Sequence, residues 1–164
     1  MIDLRGGDEH SDLNFAQIPS GVHVINLPLE DRTDFEFWGR WDRDLDTTPA
    51  YYSEFLRRSP DAICDVLSTI SKVKYGAILV HCQVGRDRTG LISLLLLALA
   101  RVPPQSIARD YELSPRPKCT LAKNVDLNER ENMITELVES LDIDRYLSEI
   151  GLTRTEIFAL KNRL

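Results

Sequence analysis

The chain has 164 residues, 43% hydrophobic and 28% charged, which suits one globular domain with a core of its own. A net charge of −6 and a pI of about 5.1 argue against a general binder of nucleic acid or of anionic membranes, while leaving room for a local basic pocket. The three cysteines, Cys64, Cys82 and Cys119, are odd in number and widely spaced, so reduced thiols in a cytoplasmic setting are expected rather than a disulfide framework.

The opening MIDLRGGDEH carries charge from Asp3 onward with no apolar run behind it, and is not expected to be a signal peptide. MIDL and Gly21–Leu29 read as short strands, with a polar loop from His10 to Gly21 between them. Glu30 to Thr48 is rich in Asp and Arg and carries Trp38 and Trp41, whose spacing shares one face if the stretch is helical. Thr48 with Pro49, and Ser59 with Pro60, each read as an N-cap followed by proline in the first helical position. The second of these helices places Ile63, Val66, Leu67 and Ile70 on one face, with Val73 a turn further on, and is expected to stop at Gly76. Cys64 shares its apolar side and reads as a core residue.

Ala77–His81 is a short apolar run, expected as a strand buried on both faces. The ten residues HCQVGRDRTG, His81 to Gly90, follow it. Beyond them, Leu91–Ala100 is apolar except for Ser93; it is too short to span a bilayer and reads as a buried helix closed by Pro103 and Pro104. PQSIARDYELS predicts a further helix. After the break at Pro115–Lys118, residues 121–141 predict another, with Met133, Leu137 and Leu141 on one face. Gly151 fits a position just past a helix end, and Thr153 with Glu156 forms a capping box for the last helix. The expected fold is α/β: a small, mostly parallel central sheet flanked by helices, with a helical C-terminal third.

HCQVGRDRTG is where chemistry concentrates. A loop between a strand end and a helix N-terminus presents amide N–H groups and the positive end of the helix dipole to an anion. Residues Gln83, Val84, Gly85, Arg86, Asp87 and Arg88 are the candidate phosphate cradle. Gly85 permits the left-handed turn such a loop needs, and Arg88 can grip two oxygens at once. Helix N-termini and nearby cations also favour thiolate, so Cys82 is the candidate nucleophile and a phosphocysteine the candidate intermediate. Thr89 is placed to donate its hydroxyl to the sulfur. Arg86 is placed to add positive potential for the substrate. His81 precedes the nucleophile on the strand and is expected to hydrogen-bond the loop backbone, and Arg5 to brace the sheet or loop through a carboxylate.

The loop matches the H-C-x5-R-[ST] pattern of cysteine-dependent phosphatases, and more narrowly resembles the H-C-x-x-G-K-D-R-T-G loop of bacterial atypical protein tyrosine/serine phosphatases. IDLRGGDEH, ARDYELS and YLSEIGLTRTEIFALKNRL are similar to further segments of that family, so the resemblance covers most of the chain. It implies one phosphatase domain over residues 1–164 with a protein-tyrosine-phosphatase-like fold, acting on phosphotyrosine, phosphoserine or phosphothreonine, or on phosphoinositides, without a metal or organic cofactor. It also makes Asp87 the candidate general acid. The alternatives are Asp42, Asp44 and Asp46 of WDRDLD, on a stretch able to act as a lid. Two departures stand out. Arg86 replaces the family's lysine, and the chain begins almost at its DLR segment, whereas family members usually carry a further N-terminal segment. The competing readings are a phosphate-binding module without catalysis, and a sulfurtransferase or arsenate reductase-like enzyme. Substrate choice and oligomeric state are not legible.

Overall fold

The computed structural model describes residues 1–7, 9, 18–31, 33–40, 48–114 and 127–164, and for Trp38, Arg40, residues 48–51 and Leu127 the backbone alone. Three short strands form one parallel sheet: β1 (Ile2–Asp3) lies between β2 (Ile25–Asn26) and β3 (Val80–His81). The register pairs Ile2 with Ile25 and Val80, and Asp3 with Asn26 and His81. Asn26 tightens the end of β2, its side-chain amide donating to the carbonyls of Asp3 (3.0 Å) and Arg5 (2.7 Å). The strands are shorter than the apolar runs that announced them. Among the described residues β3 is an edge strand, and Leu79 before it is 60% exposed, so this run is not buried on both faces as expected.

Eight helices are described: α1 (Phe35–Arg40), α2 (Thr48–Arg58), α3 (Pro60–Lys72), α4 (Asp87–Leu99), α5 (Pro104–Leu113), α6 (Leu127–Ser140), α7 (Ile143–Glu149) and α8 (Arg154–Arg163). No described helix is long and apolar enough to cross a membrane. In α3 the expected face is the buried one: Ile63, Val66, Leu67 and Ile70 all enter the core. Pro60 does occupy the first turn, but the Ser59 side chain makes no capping bond, and the helix ends at Lys72, ahead of Gly76. Helix α4 buries Leu91, Ile92, Leu94, Leu95, Ala98 and Leu99, a span too wide for one stripe, as a helix surrounded by neighbours requires. In α6 the buried residues are Arg130, Ile134, Leu137 and Val138. Met133 is only half-buried, and Leu141 falls beyond the helix, so the core face is rotated from the expected one.

Two helices end the same way on different residues. After α7, Gly151 (φ +106°) donates its N–H to Ser148 O while Leu152 donates to Leu147 O. After α4, Arg101 (φ +63°) donates to Ala98 O and Val102 to Leu97 O. Both are Schellman closures, and the arginine accepts a left-handed backbone that costs an L-residue about 1–2 kcal/mol. An ion pair between Arg101 and Asp144 joins this turn to α7.

At α8 the capping box is complete: Thr153 Oγ1 accepts from Glu156 N (3.2 Å) and Glu156 Oε2 from Thr153 N (2.9 Å). The Ser68 hydroxyl donates to the other Glu156 oxygen at 2.6 Å, tying α8 to α3. These bonds favour the carboxylate, led by that from Ser68, and hold Glu156 down to about 2. A depressed carboxyl contributes stability above its unfolded value, about 4.3, and loses that contribution as pH falls towards its folded value. Between those limits the urea midpoint of the wild type is expected to fall more steeply than that of Glu156→Gln; parallel slopes would remove Glu156 from the acid sensitivity.

Candidate active site

The site forms where β1 and β3 end, at the carboxyl edge of the parallel sheet, the usual position for ligands in open α/β folds. Beyond β1, the Asp3 carboxylate is fully buried and takes three bonds from Arg5: the backbone N–H, Nε and one terminal nitrogen, each at 3.0 Å. The remaining terminal nitrogen of Arg5 donates to Gln83 Oε1 at 3.3 Å. Arg5 therefore braces the loop after β3 against β1, the carboxylate-mediated role its place in DLR suggested. His81 sits over the same carboxylate, with Nε2 at 3.8 Å from Asp3 and Nδ1 at 3.2 Å from the Cys82 carbonyl.

Cys82 follows directly. Its sulfur is mostly buried and accepts the Gly85 N–H at 3.3 Å, so the loop curls back over the sulfur within three residues. Gly85 takes φ +83°, where an L-side chain would be strained. Gln83 and Val84 are exposed on the rim. Helix α4 begins at Asp87, which puts Arg88 in its first turn. Arg88 is 7% exposed and meets two carboxylates: Glu9 takes its two terminal nitrogens at 2.6 and 3.2 Å, and Glu30 lies 3.6 Å from Nε. Burial opposes the charge on Arg88. The bond to Glu9 and the negative fields of Glu30, Glu9 and Cys82 outweigh it and hold the guanidinium above its ordinary range. Cys82 and Arg88 are thus brought within one another's electrostatic reach.

Two expectations for the loop need correction. Arg86 does not add charge at the mouth through its side chain. That side chain is 1% exposed, its guanidinium lies 4.4 Å from the Tyr111 ring centroid, and it donates to Ser114 O (2.9 Å) and Glu112 Oε1 (3.4 Å) at the end of α5. A helix C-terminus, a carboxylate and an aromatic face together stabilise a buried cation better than the loop rim would. The Thr89 hydroxyl is buried and makes no hydrogen bond among the described residues, so the expected bond to the sulfur is not formed.

Asp87 is partly exposed at the start of α4. Its carbonyl accepts the Tyr52 hydroxyl at 2.8 Å and its carboxylate the Tyr111 hydroxyl at 3.4 Å, with Arg86 Nε 3.9 Å away. The two rings meet edge to face at 6.1 Å. Asp42, Asp44, Asp46, Trp41, His10 and Cys119 lie outside the described residues. Cys64 is half-buried on α3, where burial and then the neighbouring Asp65, Glu156 and Asp61 push its thiol up, which fits a packing role. Glu9, Glu30, Tyr52 and Tyr111 were not singled out by the sequence. Glu9 and Tyr111 stand in IDLRGGDEH and ARDYELS, whose likeness to the family was the available signal.

The tyrosine pair explains Gly90. A β-carbon there would stand 3.2 Å from Tyr111 Cδ2 and 3.3 Å from the Tyr52 hydroxyl. Helix propensity alone favours Gly90→Ala by about 1 kcal/mol, but both rings are fixed in the core, and crowding them costs about 1–3 kcal/mol. The denaturant midpoint of Gly90→Ala is therefore expected to be unchanged or lower; a higher midpoint would show that the rings yield.

Comparison with known proteins agrees with this geometry. A family model described as "Tyrosine phosphatase family" matches residues 1–164. A tyrosine-protein phosphatase from Nostoc commune is 35% identical over 124 residues, covering 69% of this chain. The matched region is 39% of that relative's own length. No solved structure matches the chain. The full-length family match, on a chain whose cysteine and arginine meet in one strand-loop-helix turn, places this protein in the tyrosine phosphatase family.

Proposed function

We propose that the chain is a cysteine-dependent phosphatase that hydrolyses phosphate monoesters through a phosphocysteine. The observation that carries this reading is the Cys82 sulfur receiving the Gly85 amide at 3.3 Å inside a loop that closes on Arg88. An N–H donor at the sulfur stabilises thiolate, both as nucleophile and as leaving group. In the first step Cys82 Sγ attacks phosphorus, the P–S bond forms, the ester P–O bond breaks, and Asp87 gives its proton to the departing oxygen. In the second, water attacks phosphorus, Asp87 takes its proton, and Cys82 leaves as thiolate.

The backbone N–H groups of residues 83–88, with the Arg88 guanidinium, are the proposed phosphate ligands, and Arg86 contributes only its main chain. A guanidinium has five N–H donors, so Arg88 can bind an oxyanion while Glu30 and Glu9 orient it. The relative's name favours phosphotyrosine as the substrate class. Phosphoserine, phosphothreonine and phosphoinositides are the further classes to assay. Free thiols at Cys64 and Cys82 suit a reducing, cytoplasmic setting.

The test is phosphate release from an aryl phosphate across roughly pH 4.5–8, the range in which such acids and bases titrate. Cys82→Ser is expected to abolish turnover. Arg88→Lys is expected to lower kcat/KM on the order of 10²–10³-fold, as for loss of a transition-state donor. Asp87→Asn is expected to lower kcat by about 10²–10⁴-fold and to remove the basic limb. Folded wild-type protein that binds phosphate without releasing it from esters would be a binding module, and persulfide formation from thiosulfate would mark a sulfurtransferase.

A further inference from the structure

We propose that Tyr52 and Tyr111 form a positioning pair for Asp87, with Tyr52 fixing its main chain and Tyr111 aiming its carboxyl group. This rests on the reading of Asp87 as general acid and adds the groups that would make it one.

Tyr52 comes from α2 and Tyr111 from α5, elements separated in sequence by the whole catalytic turn. Both side chains are buried, yet both hydroxyls end on the same residue at the start of α4. A buried phenol needs a partner, and many carbonyls would serve; here one hydroxyl holds Asp87 by its carbonyl and the other by its carboxylate. The ring of Tyr111 is itself fixed, with the Arg86 guanidinium against its face, the Tyr52 ring edge-on to it, and Gly90 leaving room below. The α4 turn therefore has little freedom to swing Asp87.

A tyrosine is suited to this task because its hydroxyl both donates and accepts. It donates to the Asp87 carboxylate left after the proton has gone to the leaving oxygen, and accepts from the carboxylic acid once the proton has been recovered from the attacking water. A lysine or arginine in the same place would serve only the carboxylate.

The expected sign follows from the groups facing Asp87. Arg86 from the loop lies 3.9 Å away, and behind it stands Glu112 of α5, paired with both Arg86 and Arg130 of α6. Among the described residues, the Tyr52 hydroxyl of α2 and the Tyr111 hydroxyl of α5 face it as well. Tyr111→Phe removes one donor to the carboxylate and keeps the ring contacts and every charge. Asp87 then holds its proton more strongly, and the basic limb of the kcat profile moves to higher pH.

The deciding experiment measures kcat and KM against pH for wild type, Tyr111→Phe and Asp87→Asn with the same aryl phosphate. A carboxyl-carbon NMR titration of Asp87 in the first two proteins accompanies it. For Tyr111→Phe we expect a roughly two- to tenfold lower kcat, the range one neutral hydrogen bond supports. KM should be nearly unchanged, the basic limb displaced upward, and the Asp87 titration displaced with it. A profile and titration that superimpose on wild type overturn the proposal, as does a rise in KM alone. Survival of the basic limb in Asp87→Asn also overturns it, while leaving the phosphatase reading to Cys82→Ser. A displaced titration in a protein that releases no phosphate would sustain the contact and sink the phosphatase reading, so the two failures are distinguishable.

Discussion

A guanidinium taken out of water must be answered on every side, and the shape of the loop over Cys82 depends on how Arg86 is answered. The desolvation of one such ion costs several kcal/mol unless good partners replace water. Arg86 finds the Ser114 carbonyl just past α5, the Glu112 carboxylate and the face of Tyr111. Glu112 is also approached by Arg130 of α6, at 3.4 Å. The loop over Cys82 is therefore fastened from beneath by α5, which Arg130 of α6 braces in turn through Glu112. From above it is fastened by Arg5, which links the buried Asp3 of β1 to Gln83. The arginine in place of the family's lysine fits this account: a planar fork can stack on a ring and serve two acceptors in one plane, which an ammonium cannot do.

Charge around the site is arranged against the overall balance of the protein. A chain of net charge −6 gathers Arg5, Arg86 and Arg88 at one strand-loop-helix turn. Each is buried, and each has carboxylates beside it: Asp3 for Arg5, Glu112 for Arg86, and Glu9 with Glu30 for Arg88. Burial beside carboxylates keeps these three cations fixed in direction. It also makes the local field depend on geometry more than on ionic strength, because buried pairs are screened far less than exposed ones.

Much of this architecture was legible. The face of α3, the buried α4, the proline opening α3, the capping box of α8 and the glycine after α7 all follow from periodicity and terminal chemistry. The HCQVGRDRTG turn announced its own strand-loop-helix setting. What was not legible depended on long-range partners. No local rule gives Arg101 a left-handed turn that elsewhere falls to Gly151. No local rule sends Arg86 inward, because the signal for that lies in Tyr111, Glu112 and Ser114. Tyr52 and Tyr111 look like ordinary core aromatics until both hydroxyls are seen to converge on Asp87. The α6 face was misjudged because Ile134 and Val138, each one position beyond Met133 and Leu137, enter the core.

The last helix in chain order fastens α3 and the connection from α3 to β3. Arg163 donates to the carbonyls of Val73 and Gly76 in the connection that leads into β3, and Ser68 bonds to Glu156. In α7, the Tyr146 hydroxyl donates to Leu56 O at 3.0 Å. Each of these contacts spans 87 to 90 residues of chain. Contacts at such separations carry a loop-closure entropy that is spent before they reward it. On the ribosome, the strand that precedes Cys82 would emerge long before the helix that locks its approach. The thiol would thus gain its settled surroundings only after α8 has been made.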